Sequence, residues 1–258
     1  MKLKRTLTDK QQQILILLYR FRYLDRHQIQ NLLHHKSDSR IQSWLQNLIK
    51  NRYITRIYST SYKENTKPAI YYLAAKSIPY LRTVPDINTS QLNRIYRNNS
   101  RSYGFIQHNL LVADLYLYFQ SLAIESHESL KFFTKTDLTS LKYYPHPSPD
   151  ASFTTSKQKN TVSYFLDIFD EGVPRFALRG RISQYVDYYD AGIWQKSTNK
   201  PFPSVLFVCP DLKTQKYLNR FIAETLSDEG METVSVYLTN QDTLRSGGDI
   251  WQKIEPVG

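Results

Sequence analysis

The sequence has one cysteine, Cys209, in 258 residues. That excludes an internal disulfide framework and a cysteine-based zinc site, and it fits a reducing compartment. Eight glycines and eleven prolines are too few for a low-complexity or collagen-like chain. The longest apolar runs, Ile14–Leu18 and Val205–Cys209, fall far short of the roughly 20 residues needed to span a bilayer. No apolar stretch follows the basic start Met1-Lys2-Leu3-Lys4-Arg5, so no signal peptide is expected. The sequence holds no glycine-rich phosphate loop ending in Lys-Ser/Thr and no G-x-G-x-x-G, which leaves ATP or dinucleotide use without support. It also lacks H-E-x-x-H. These absences describe a soluble cytoplasmic protein with no expected cofactor.

Acidic residues are scarce in one part of the chain only. Residues 1–103 hold 19 basic and 5 acidic side chains, whereas residues 104–258 hold 15 and 18. The formal net charge of +11 therefore resides in the first hundred residues. A compact basic segment beside a near-neutral one points to a polyanion partner for the first part, with nucleic acid preferred over a merely solvated surface.

The periodicity of that basic part predicts three helices and a hairpin. Thr8 or Asp9 caps a first helix carrying Ile14, Leu15, Leu17, Leu18 and Phe21 on one face. Asp25 opens a second, Arg26–His34. Ser37, Asp38 or Ser39 caps a third, in which Ile41, Leu45, Leu48 and Ile49 recur at helical spacing. Its remaining face is Arg40, Gln42, Ser43, Gln46, Asn47 and Lys50, side chains that suit base edges and phosphates. Tyr53–Tyr58 and Ala69–Leu73 alternate as strands around the polar turn Ser61–Lys67. Three helices followed by a basic-tipped hairpin is the winged helix-turn-helix order. The third helix would enter the major groove, and Arg56, Lys63 and Lys67 would reach phosphate or the minor groove.

Pro79, Pro85 and Asp86–Gln91 lead out of this domain. A basic stretch, Asn93–Arg101, follows, in which Arg94, Arg97 and Arg101 could extend a DNA footprint. Phe105–Ala123 predicts a helix that is apolar nearly all round and hence buried. Strands are expected at Leu130–Thr134, Ala151–Thr155, Val162–Ile168, Ser204–Cys209 and Thr233–Leu238. Helices are expected from Pro174 to near Asp190, with Gly192 as a stop, and over Asp211–Leu226. Residues 240–258 mark no element. The expected architecture is α+β in two domains: a winged helix over 1–85, a basic linker over 86–103, and an α/β domain with a mixed sheet over 104–240. A tail follows over 241–258.

One constellation carries chemistry. Pro149-Asp150 precedes a strand, and Asp167 and Asp170 lie at the end of the next. Two carboxylates at adjacent strand ends can share a magnesium ion that activates water. The next helix brings Arg179, Arg181, Gln184, Tyr185 and Tyr188. The structural alternative is plain: Asp150 is ordinary turn chemistry after a proline, and the other acids end a strand or pair with Arg179 and Arg181. The tyrosines read as helix packing, and His34-His35 as a surface pair. The six histidines are scattered, unlike the clustered strand histidines of a common relaxase.

Over roughly residues 8 to 239 the chain resembles the replication-relaxation family of plasmid and mobile-element proteins. The resemblance rests on Pro149-Asp150-Ala151, on Asp167-Ile168-Phe169-Asp170, on Arg181 with Tyr185 and Tyr188, and on Phe202–Val208. His108 and Asp114 also match. The family's name implies plasmid replication and DNA relaxation. The second part also resembles the restriction-endonuclease-like fold, with its Pro-Asp…(Asp/Glu)-x-Lys signature and the Gln-x-x-x-Tyr of its RecB-like members, here Gln184 and Tyr188. That resemblance implies Asp150 and Asp167 as metal ligands. The expected lysine is replaced by Phe169, and Arg181 would stand in for it poorly, because it stays charged.

Three functions compete. The first is a sequence-specific double-stranded DNA-binding protein of a plasmid or mobile element, accessory to replication or transfer or a transcriptional regulator, with an inactive nuclease-like domain. The second is a Mg²⁺-dependent endonuclease or nickase using Asp150, Asp167, Arg181 and Gln184. The third is a transcription factor that senses a ligand or a partner. The first is preferred. Its partners would be duplex DNA and other replication, transfer or transcription proteins, with a homodimer as an option and no membrane.

Overall fold

The computed structural model describes residues 7–58, 67–158, 160–231, 233–246 and 250–257. The chain divides into two compact units, Met1–Ser121 and Leu122–Gly258. Among the described residues, no helix is long and apolar enough to cross a membrane.

The first unit begins with helix α1, Asp9–Phe21. Thr8 caps it through a reciprocal box with Gln11: Gln11 N–H donates to Thr8 Oγ1, and Thr8 N–H donates to Gln11 Oε1. Strand β1, Leu24–Asp25, is only two residues long and leads into α2, Arg26–Leu32, which Asp25 caps in the same way with Gln28. Helix α3, Asp38–Lys50, starts at Ser37. Each cap satisfies a backbone donor that the helix leaves open, worth about 1 kcal/mol. Strands β2, Ile54–Ile57, and β3, Ile70–Leu73, pair antiparallel, with β1 on the other side of β3. The predicted turn between β2 and β3, Lys63 included, falls almost wholly outside the described residues. Ile14, Leu15, Leu18, Ile29, Ile41, Leu45, Leu48 and Ile54 are buried, so the apolar faces of all three helices turn inward.

Two short helices, α4 (Ile78–Leu81) and α5 (Thr89–Leu92), and 3₁₀ turns at Ala75–Ser77 and Ile95–Ser100 follow. Helix α6 runs over Tyr103–Glu125. It is not buried all round as its composition suggested: Leu122 is 39% and Ile124 65% exposed, because the apolar pattern continues past the packed turns.

The second unit is a six-stranded mixed sheet. In order of chain it contains β4 (Ser129–Thr134), α7 (Lys135–Leu138), β5 (Ala151–Lys157), β6 (Asn160–Ile168), α8 (Arg175–Asp190) and α9 (Ile193–Thr198). Then come β7 (Ser204–Cys209), α10 (Leu212–Asp228), β8 (Val236–Asn240), α11 (Gln241–Ser246) and β9 (Gln252–Lys253). The strand order is β4-β5-β6-β7-β8-β9. The first three strands form an antiparallel meander, β6, β7 and β8 run parallel, and β9 returns antiparallel. The stretch after Asn240, where the sequence marks no element, supplies both α11 and β9, and the helix α9 was also unforeseen. These pieces are too short for a periodic signal. Gly192 precedes α9 with φ +60°, a conformation that glycine adopts without strain, so it joins two helices rather than only stopping one.

Phe165, on β6, is fully buried. The rings of Trp194, Tyr144, Tyr185, Phe202 and Tyr188 lie within 5.2 to 6.2 Å of its own. Such ring pairs contribute roughly 0.5–1.5 kcal/mol each beyond area burial. Phe165→Ala should therefore cost about 3–5 kcal/mol. In urea unfolding followed by amide exchange, the loss is expected over residues 122–258, and an equal loss in α1–α3 would contradict this packing.

Candidate functional site

Two candidate sites lie in the two units, and each is built locally. In the first unit the helical period of α3 turns Arg40, Gln42, Ser43, Gln46 and Lys50 to solvent. Asn47 does not join them. It is half-buried, and its Oδ1 accepts from Gln11 Nε2 at 2.9 Å and from Asn51 Nδ2 at 3.1 Å. That corrects its place among base-reading candidates: the carboxamide fastens α1 to α3. Arg56 is exposed on β2 with its guanidinium 5.8 Å from the Tyr58 ring, and Lys67 is exposed ahead of β3. Lys63 lies outside the described residues. Asp114, one of the two residues matched to the family ahead of the second unit, accepts from Gln28 Nε2 at 2.6 Å, and Gln28 also donates to the carbonyl of Leu110. This ties α2 to α6.

In the second unit, the pairing of β5 with β6 brings the two predicted acids together. Ala151 faces Leu166 in the ladder, so Asp150 and Asp167 fall one step further along on neighbouring strands. Both are buried. Asp150 Oδ2 accepts from the backbone N–H of Ile168 at 3.0 Å, and its Oδ1 lies 3.1 Å from Lys135 Nζ. Asp167 is closed more fully. Arg181 Nε reaches its Oδ2 at 2.9 Å, Arg181 Nη2 reaches Oδ1 at 3.2 Å, and the Tyr185 hydroxyl donates to Oδ2 at 2.6 Å. The other donors of Arg181 are also engaged, Nη1 by the carbonyl of Pro147 (2.7 Å) and by Gln184 Oε1 (3.1 Å). A planar guanidinium fits a carboxylate in this two-point way, and a lysine could not.

Burial raises the proton affinity of the Asp167 carboxyl and outweighs the opposing pull of Arg181, with nearby Asp150 adding to the rise. Burial, with Asp167 beside it, pushes the Tyr185 phenol well above its ordinary value, so Tyr185 is a hydrogen-bond donor here rather than an anionic nucleophile. Burial also pushes the Cys209 thiol up to about 12.

One expectation is corrected at this site. Arg179 makes no pair with the acids. It packs over the rings of Tyr217 and Phe221 on α10 and donates to the Tyr217 hydroxyl. Phe169, where the signature lysine would sit, is a core residue, stacked on Phe207 at 5.3 Å. Lys135 was missed. The antiparallel pairing of Thr134 with Ala151 carries it to Asp150, a consequence of register that strand boundaries alone contain once the pairing is known.

The arrangement does not fit a divalent metal as it stands. Magnesium takes oxygen ligands in a near-octahedral set. Here both carboxylates are already bonded to cationic side chains, and among the described residues no group of three or more metal-ligating side chains occurs.

The fold and these sites define a mixed α+β protein with a buried acid pair at one end of a six-stranded sheet. The chain belongs to the replication-relaxation family, whose model matches residues 15–205. No curated protein matches it. Among solved structures, it is similar to a single-residue mutant of ZitR from Lactococcus lactis, at 16% identity and a TM-score of 0.26. That match covers 49% of this chain and 80% of ZitR. It is also similar to the restriction endonuclease FokI bound to DNA, at 13% identity and a TM-score of 0.31, over 92% of this chain and 43% of FokI. Both superpose too loosely to establish a shared fold.

Removing Arg181 leaves a buried carboxylate without its counter-charge. Arg181→Ala should cost about 3–5 kcal/mol near neutral pH. Arg181 is what holds the Asp167 proton affinity down, so the variant's carboxyl rises further above that of the unfolded chain. The native state then binds more protons than the unfolded one, and the loss shrinks as pH falls toward about 4.5. Adding Asp167→Asn should restore part of it at neutral pH. A pH-independent loss, or no recovery in the double variant, would contradict the pairing.

Proposed function

We propose that this is a sequence-specific double-stranded DNA-binding protein of a plasmid or mobile element, accessory to its replication or transfer or to control of its transcription. In this reading residues 1–85 form a winged helix whose α3 enters the major groove. Residues 104–240 form a restriction-endonuclease-like domain that no longer cleaves DNA. The observation that carries the reading is the exposed polar face of α3 in a strongly basic segment. Arg40, Gln42, Ser43 and Gln46 can reach base edges, whereas Lys50, Arg56 and Lys67 supply phosphate contacts. Basic groups on phosphates release counterions and give affinity, while the α3 side chains give preference. Family membership and the name of the family support a role in replication. The closure of Asp167 by Arg181 and Tyr185 supports loss of cleavage, because a metal would have to displace a buried two-point ion pair.

A second reading is a Mg²⁺-dependent nuclease with Asp150 and Asp167 as ligands. Lys135 favours it: an ammonium beside the acid pair is what Phe169 fails to provide.

Selection from random duplexes tests the first reading. One enriched motif is expected. Arg40→Ala or Gln42→Ala should relax preference at one position by about 1–3 kcal/mol. Lys50→Ala should weaken all sequences alike, and Asn47→Ala should leave the preference unchanged. A selection that enriches nothing would overturn the reading.

A further inference from the structure

The first unit gathers guanidinium groups that, among the described residues, no carboxylate pairs with. Arg22 follows α1 with φ +68° and ψ −45°, a sparsely populated backbone for a side-chain-bearing residue. Its Nη2 donates to Asn98 Oδ1 at 2.7 Å, and its guanidinium lies 4.7 Å from the centroid of the Phe105 ring. Arg101 packs on the same ring at 4.9 Å, and its Nε is buried without a hydrogen-bond partner among the described residues. Arg94 stands at the start of the 3₁₀ turn that carries Asn98. Burial chiefly, with smaller contributions from the charges of Arg101 and Arg94, depresses the proton affinity of Arg22 against an opposing pull from Tyr23. Among the described residues, no carboxylate pairs with Arg22, Arg94 or Arg101.

The surroundings hold these groups in place. Tyr23 is fully buried, its hydroxyl donates to the Asn98 carbonyl at 2.6 Å, and its ring meets Phe105 edge-on at 6.3 Å. Like charges brought together on a fixed platform repel one another, and a buried N–H without an acceptor is costly. Both costs fall when an anion binds, and the forked donors of arginine match phosphate oxygens in pairs.

We propose that Arg22 and Arg101, on the Phe105 platform, form a phosphate-binding site in the first unit, with Arg94 at the start of the neighbouring 3₁₀ turn as a third cation. The phosphate group is that of a nucleic-acid backbone or a free phosphate compound. The site does not depend on the assignment of α3 as a base reader.

The test uses the full chain and Arg94→Gln/Arg101→Gln, keeping Arg22 because it ends α1. Inorganic phosphate is titrated against chloride at matched ionic strength while Tm is followed. The wild type should gain about 2–4 °C and the double variant nothing. If the double variant fails to fold, Arg94→Gln alone, which alters an exposed side chain, should shrink the gain. No gain in the wild type, or an equal gain in the variants, overturns the proposal. Duplex affinity over a salt series then separates the sources. A slope lower by about 1 in the variant places a backbone phosphate in the site. An unchanged slope, with the phosphate-specific gain in Tm intact, assigns the site to a free phosphate compound. Arg40→Ala reports on α3 separately: an unchanged duplex preference in that variant, with an intact phosphate response, sinks the proposed function and leaves this site standing.

Discussion

A carboxylate buried at the end of β6 cannot stay charged alone, and Asp167 governs what surrounds it. Taking a charge out of water costs several kcal/mol unless a counter-charge with good geometry meets it. Arg181 meets it with two hydrogen bonds, Tyr185 adds a third, and the remaining donors of Arg181 fasten Gln184 and the Pro147 carbonyl. One ion pair thereby sets the position of α8, the approach of the loop before β5, and the rotamer of the tyrosine that stacks beside Phe165. Next to it, Asp150 is balanced by Lys135 and a backbone N–H. The four charges cancel one another, which is why the site is coherent as structure.

The first unit follows the opposite logic. Its apolar helix faces close a core, and its charge is left outward and largely of one sign. Fixing Asn47 through Gln11 stiffens the junction of α1 with α3 and leaves Ser43, Gln46 and Lys50 exposed to solvent. The arginines on Phe105 extend the same excess of positive charge into a partly buried setting, where each uncompensated group matters more than on an open surface.

Much of this was legible in the sequence. Capping residues and helical spacing placed α1, α2 and α3 within a residue or two, since Thr8, Asp25 and Ser37 each do the same local work in the chain that they do in the fold. The acids of the second unit were legible as strand-end residues, and the pairing of Arg181 with Asp167 was one of the alternatives the spacing allowed. What was not legible depends on contacts far apart in sequence. Lys135 reaches Asp150 only through the β4–β5 register. Asn47 looks like a base reader until Gln11 is seen to hold it. Arg22 gives no signal at all, because its importance comes from Asn98 and Phe105, more than seventy residues on. Strand β9 is two residues long, and pairing with β8 rather than local pattern forms it.

Internal cations close the acid pair, and in the proposed reading the second unit no longer cleaves DNA. The direct measurement is incubation of the purified protein with supercoiled plasmid in Mg²⁺, in Mn²⁺ and in EDTA, beside Asp150→Asn. A plasmid shifted in mobility but uncut under every condition, with the variant indistinguishable from the wild type, is the predicted result. Metal-dependent nicking that Asp150→Asn abolishes would contradict the account and make Asp150 and Asp167 ligands of a working nuclease.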